Sequence, residues 1–234
     1  MTPPLLIDIL TIFPRMFEGP FSEGLLGKAQ KKGLVSIRVH DLRGSLEDPR
    51  KRLDDRPFGG GAGMVLRPEP IYRALKGFGV GHGSRTRKPW VIYLSPQGKL
   101  LSQSIAKSLV GKKHLILLCG HYEGVDERIM DWVDQEVSVG DFVLMGGEIP
   151  AMALTEAVAR LIPGVVGDPD SIERDSFSGP FLDYPSYTRP RVWKKRAVPS
   201  VLLSGDHEAI EKWRHAKALE VTKMKRRDLL KKHL

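Results

Sequence analysis

The sequence predicts an α/β fold with buried parallel strands. Two short, nearly continuous apolar runs, WVIYL at 90–94 and HLILLC at 114–119, flank a stretch at 101–110 whose apolar residues repeat at helical spacing. Each run passes straight into a polar, glycine-bearing turn, SPQG at 95–98 and GHYEG at 120–124, and a third glycine-rich stretch, SVGDFVLMGG, follows at 138–147. Ligands of open α/β sheets gather at the carboxyl ends of the strands, so the three turns are expected to face one crevice.

The remaining elements follow in order. Residues 5–13 (LLIDILTIF) alternate loosely and stop at Pro14, as a strand does. Ser22 is placed to cap a short helix through Gln30, closed by Gly33. Residues 34–40 set Val35, Ile37 and Val39 on one side and Ser36, Arg38 and His40 on the other, a half-exposed strand. Residues 41–67 are polar and glycine-rich, too long for an ordinary connection, and read as a functional loop. Residues 68–76 suit a helix and 77–88 a Gly/Arg-rich tether. In the third glycine stretch, Gly140, Gly146 and Gly147 are expected to turn the main chain with φ > 0 and bring it close to a ligand. An amphipathic helix should start at Ile149, with Pro150 in its first turn, Met152, Val158 and Leu161 near one face, and Arg160 in its last turn before Pro163 and Gly164. Residues 166–190, rich in Pro, Ser and Asp and without periodicity, read as an inter-domain linker. Beyond them Ser204 and Asp206 are cap types for a helix expected to turn Ile210, Trp213, Ala216 and Leu219 inward and Lys212, Arg214 and Lys217 outward.

Composition bounds the function. At 234 residues and 41% hydrophobic, the chain buries one sizeable core and a small second unit. The apolar N-terminal run is broken by Asp8 and lacks a basic flank, so neither a signal peptide nor a spanning helix is expected, and the protein reads as soluble and cytoplasmic with no membrane partner. A single cysteine, Cys119, excludes an internal disulfide framework and any multi-cysteine zinc site. Residues 1–190 carry 24 Lys and Arg against 23 Asp and Glu, whereas residues 191–234 carry 13 against 5. A basic end on a neutral body points to a polyanion, most commonly nucleic acid, although a solvated basic helix has the same composition.

Common motifs are missing. No G-x-G-x-x-G follows the first strand, which removes the main support for a Rossmann reading, and QGKL at 97–100 lacks the upstream glycine and the Ser/Thr of a P-loop. His121-x-Glu123 has no P-C-x-x-C partner. Cys119 and His121 form a nucleophile and base on one reading, and a buried strand residue and a loop residue on the other. Taken alone, Arg160 offsets a helix dipole and Asp175 sits in a turn.

Several long segments, in order, carry a resemblance: DDRPFGGGAGM at 54–64, YLSPQG at 93–98, CGHYEGVDERI at 119–129, SVGDFVLMGGEIPAMALTEAVARLIPGV at 138–165 and YTRP at 187–190. Together they resemble the bacterial tRNA (guanine-N1-)-methyltransferases, which act on the guanosine at position 37, next to the anticodon. The resemblance implies a SPOUT-class α/β methyltransferase domain over residues 1–165 with a C-terminal trefoil knot, a flexible linker at 166–190, and a small basic helical tRNA-binding domain at 191–234. It also implies a homodimer with active sites at the interface. By position in the motifs, S-adenosylmethionine would meet Tyr93, Leu94, Ser95, Pro96, Gln97, Gly98, Gly120, Tyr122, Glu123, Ser138, Val139, Gly140, Asp141, Phe142, Val143, Leu144, Gly146, Gly147 and Pro150. The catalytic pair falls on Asp175, as the base for guanine N1, and Arg160, which stabilises charge on O6. tRNA contacts are expected from Asp55, Arg56 and Arg189, and from Lys212, Arg214, Lys223, Lys225, Arg226 and Arg227. The family is associated with magnesium (Mg2+), and no ligand cluster in the sequence marks a metal site.

The chain departs from many members at His121, where Arg is frequent, and at Met145, where Ser is frequent, which affects side-chain contacts at those positions. It ends at Leu234, so contacts made by a longer tail in relatives would be missing. A non-catalytic RNA-binding protein that kept the fold is the alternative of another class; it would have little reason to hold Arg160, Asp175 and all three glycine turns.

Overall fold

The computed structural model describes residues 4–46, 52–81 and 89–231, so residues 47–51 of the long polar loop and 82–88 of the tether lie outside them. Strand β1 (Leu5–Thr11) sends Leu5, Ile7 and Ile9 into one apolar cluster and Leu10 into another, because a strand's side chains alternate and this sheet is covered on both faces. A 3₁₀ turn (Pro14–Phe17) leads to α1 (Glu18–Ser22) and α2 (Gly24–Lys31). These are two helices where one was expected. Glu23 leaves the helical region (φ −105°, ψ 170°), and Ser22 ends the first helix, its hydroxyl donating to the Gly19 carbonyl, instead of capping the second. Then come β2 (Val35–Asp41), a short pairing of β3 (Asp54–Asp55) with β4 (Val65–Leu66), and α3 (Pro68–Gly77), which starts on the proline predicted to open it.

The predicted β-α-β unit is β5 (Trp90–Leu100), α4 (Gln103–Val110) and β6 (His114–Cys119). The hydroxyl of Ser102 caps α4 by accepting from the Ile105 N–H. β7 (Gln135–Ser138) and α5 (Glu148–Ala159) follow. The sheet order is β2-β1-β6-β5-β7 with every pair parallel. Residues 115–119 of β6 lie between β1 and β5 and are at most 1% exposed, which accounts for their unbroken apolar run. α2, α4 and α5 supply the cluster on one face, and α3 with the 3₁₀ turn Glu127–Trp132 the cluster on the other. Each fully buried Leu or Ile contributes about 1.5–3 kcal/mol.

α5 differs from the amphipathic helix expected. Ala151, Leu154, Thr155, Val158 and Ala159 are all buried and Met152 and Ala157 pack against the same cluster, so the helix is apolar round most of its circumference, as a core helix is. One charged residue enters the sheet: Asp8 of β1 is fully buried and accepts from Arg38 Nη2 at 2.7 Å, with Nε2 of His40 and of His114 each 2.6 Å from its oxygens. Burial pushes its carboxyl up, but the hydrogen bonds from Arg38, His40 and His114 outweigh burial and hold it below the usual range.

The chain divides into two compact units, Met1–Gly167 and Asp168–Leu234. The second holds α6 (Pro169–Glu173), a hairpin of β8 (Val192–Trp193) and β9 (Arg196–Ala197), α7 (His207–Lys225) and α8 (Arg227–Lys231). Asp206 caps α7, accepting from the Ala209 N–H at 3.0 Å. The inward line of α7 runs through Arg214, Ala218 and Thr222, not through Ala216, which is exposed. Thr222 is anchored by the Leu182 N–H, and the Arg214 guanidinium lies 4.9 Å from the Tyr184 ring centre. Among the described residues no helix is long and apolar enough to cross a membrane.

Candidate functional site

The parallel order sets the carboxyl ends of β5, β6 and β7 side by side, and the segments leaving them enclose a cavity of about 380 Å³. Small-molecule sites fall at about 300–1,000 Å³. Its walls come from residues 93–97, 120–125, 136–140 and 142–147, with Glu127, Met130 and, from α5, Pro150. Every residue that the resemblance assigns to the methyl donor lines this cavity except Gly98 and Asp141. The SPQG segment is a bulge rather than a turn: Leu94 and Lys99 both pair with Val137, which leaves the four residues between them without partners in the β5–β7 register.

The third glycine stretch is built differently from the expectation. Gly140, Gly146 and Gly147 are absent from the residues with positive φ; what excludes a side chain there is neighbouring protein. A Cβ on Gly147 would stand 2.7 Å from the Cys119 Cα and 3.1 Å from the Gly120 nitrogen, and one on Gly146 would meet His121 and Glu148. The close approach is of chain to chain. The Gly147 N–H donates to the Gly120 carbonyl at 2.9 Å, which ties the second and third turns together.

Beneath this contact lies a group that sequence reasoning missed. Glu148, the first residue of α5, is 1% exposed; its Oε1 accepts from the Thr11 hydroxyl at 2.6 Å, and its Oε2 lies 3.0 Å from His121 Nε2. Two signals pointed to it: a carboxylate at a helix N-terminus and a threonine ending an apolar strand. His121 is thus committed to Glu148 and packs edge-on against Phe13. Cys119 is fully buried, and burial, with the nearby Glu148 charge, pushes its thiol well above the ordinary value. A Cys–His nucleophile is therefore not assembled.

Polar chemistry faces the cavity. Burial raises the Tyr93 phenol, whose hydroxyl also meets the Val125 backbone, and burial followed by the Glu127 charge raises the Glu136 carboxyl. Glu123, Glu127 and Glu136 all line the cavity, an acidic wall suited to a cationic ligand. The 54–66 loop is stitched to the same rim: the Glu123 N–H donates to the Met64 carbonyl at 3.0 Å, the Leu66 N–H to Gly124 at 2.9 Å, and the Tyr122 hydroxyl bonds Asp54. Tyr122 itself takes φ 59°, an uncommon backbone for a bulky residue and one that clusters at functional sites.

Arg160 is the C-cap of α5. Asp175 belongs to the second unit, where it follows α6 and lines a hollow of about 300 Å³ with Asp168, Ser171, Arg174, Asp183, Tyr184 and Ser186. Asp55 accepts from the Arg56 N–H, and both line an open hollow with Phe58 and Arg128. In the second unit Arg189, Lys223 and Lys225 are exposed, Lys212 pairs with Glu208 at 2.6 Å, and Arg226 pairs with Asp228 at 2.7 Å. Arg227 Nε donates to the Lys223 carbonyl, and Arg214 is braced by Glu211 and Tyr184.

Residues 5–232 match the family described as tRNA (Guanine-1)-methyltransferase TrmD. The chain is 52% identical over 231 residues to the tRNA (guanine-N(1)-)-methyltransferase of Endomicrobium trichonymphae, an alignment covering 97% of this chain and 99% of the relative. The protein of the same name from Dictyoglomus turgidum is 53% identical (97% and 91% covered), and that from Protochlamydia amoebophila 49% (97% and 100%). With a family match over nearly the whole chain and relatives of this identity, the chain belongs to the bacterial tRNA (guanine-1)-methyltransferase family.

Proposed function

We propose that the protein transfers a methyl group from S-adenosylmethionine to N1 of the guanosine at position 37 of tRNA, 3′ of the anticodon. The observation that supports this reading most strongly is the convergence of the three donor-type segments on one cavity. The cavity suits the donor: Leu94, Val137, Leu144 and Pro150 beside the backbone of residues 93–97 fit a flat adenosine, and Glu123, Glu127 and Glu136 fit a positive sulfonium. When bound, S-adenosylmethionine supplies an activated methyl group. Asp175 takes the N1 proton, a role for a positioned carboxylate worth about 10²–10⁴ in rate. Arg160 offsets the negative charge that this leaves on O6, roughly 3–4 kcal/mol in a water-excluded site.

In this reading residues 1–165 form a donor-binding SPOUT domain knotted as a trefoil, residues 166–190 a linker that orders over bound tRNA, and residues 191–234 a basic tRNA-binding domain. Two copies form a cytoplasmic homodimer with active sites at the interface. Among the described residues no group of three or more His, Cys, Asp or Glu is arranged to hold a metal ion, and we assign magnesium no protein ligand. The test is transfer of labelled methyl to unmodified tRNA transcripts carrying G or A at position 37, with and without a guanosine on its 5′ side. Label only on the G37 transcripts is expected; equal label on the A37 transcript would overturn the assignment.

A further inference from the structure

The hairpin of the second unit holds residues to which the proposed function gives no individual role. β8 and β9 pair antiparallel, Val192 with Ala197 and Trp193 with Arg196, and the two residues between them, Lys194 and Lys195, take φ of 47° and 64°. A two-residue connection with both φ positive is a type I′ turn, which favours Asn-Gly because a side chain disfavours that backbone. Here both positions carry lysine. Beside them Trp193 is 59% exposed, and the Lys194 ammonium lies 4.8 Å from the centre of its ring. Arg189, Arg191 and Arg196 extend the basic tract, and residues 189–196 include no acid. Among the described residues none of these five cations is held in an ion pair.

Local folding explains none of this. An exposed indole adds little to a core, and left-handed lysines weaken the turn they form. Cations free of carboxylates beside an open aromatic face fit a chain that carries phosphates and flat bases together. An acidic protein would use the charges without needing the indole.

We propose that residues 192–197 form a tRNA-contacting finger, with Trp193 stacking on an unpaired base and Lys194 and Lys195 holding phosphates. The proposal rests on the tRNA reading above and adds three residues to the RNA contacts expected from the sequence.

The test is the affinity of the full chain for an unmodified tRNA transcript, measured by fluorescence anisotropy across a salt series, with melting temperature as the control for folding. In Lys194→Asn/Lys195→Gly the tip gains its preferred turn while losing two charges. Binding is expected to weaken about five- to tenfold at moderate salt, and the slope of log Kd against log salt to fall by about 1.4–1.8, at about 0.7–0.9 per phosphate contact. Lys194→Arg/Lys195→Arg should bind like the parent. Trp193→Ala should weaken binding at least about fivefold with the slope unchanged, and Trp193→Phe should recover most of the loss. Parental affinity and slope in the Asn-Gly variant would overturn the proposal, as would variants that lose binding only to phosphatidylserine vesicles. Failure of methyl transfer to G37, with hairpin-dependent tRNA binding intact, would count against the proposed reaction and not against the finger.

Discussion

Asp8 and Glu148 are carboxylates buried in apolar surroundings, and each is tolerated only because its oxygens are fully engaged, Asp8 by Arg38, His40 and His114, Glu148 by Thr11 and His121. Asp8→Asn is expected to cost roughly 2–3 kcal/mol near neutral pH, since hydrogen bonds to a charged group are worth about 1.5–3 kcal/mol. The folded carboxyl titrates below its unfolded value of 3.8, so its stabilisation is present above that value and lost as pH falls through the folded one. Urea melts of both proteins at about pH 6 and pH 3 should show the gap closing on acidification; a constant gap would place the effect in packing instead. In the sequence Asp8 stands out only as a break in an apolar run and Arg38 and His40 as an outer face, because a bond across paired strands leaves no local pattern. Asp175→Asn, by contrast, is expected to keep tRNA affinity near the parental value while methyl transfer falls about 10²- to 10⁴-fold. Single-turnover assays with labelled donor, beside binding measurements, separate the two; full turnover would remove Asp175 from the base role.

At the scale of the elements, strands were the most legible, because β6 and the start of β5 are buried on both faces and show it as continuous apolar runs. Helix faces were less so. α7 sets the Arg214 guanidinium over the Tyr184 ring, a placement that a hydrophobicity pattern excludes in advance, so the pattern points to Ala216 where the structure buries Ala218. The third glycine stretch was located correctly, but the reason for its glycines is the contact between α5 and the end of β6, a contact distant in sequence. That contact makes a prediction at this scale. Gly147→Ala pushes the start of α5 off Cys119 and Gly120, and overpacking of this kind costs about 1–3 kcal/mol. Thermal melting should show the loss, and calorimetric titration with S-adenosylmethionine should show a weaker site, because Gly147 and Pro150 wall the cavity. Unaltered stability and donor affinity would mean that the α5 start can move without disturbing the site.

The whole molecule has two compact units, Met1–Gly167 and Asp168–Leu234, and most of the excess positive charge is concentrated in the last part of the second, residues 191–234, where 13 Lys and Arg stand against 5 Asp and Glu. The order of the sheet was not legible in the sequence, since apolar runs identify buried strands without saying which ones are neighbours. A knotted path would be equally silent, because threading a loop changes no residue's burial period. The crevice connects these scales: residues far apart in the chain meet there only because β5, β6 and β7 end together. The chemistry done in this crevice is read by mass spectrometry of nuclease fragments from a G37 transcript incubated with the full chain and S-adenosylmethionine. One added methyl group is expected, on N1 of the guanosine at position 37. Methylation at another nucleotide or another ring atom, or a transcript recovered without a methyl group, would contradict it.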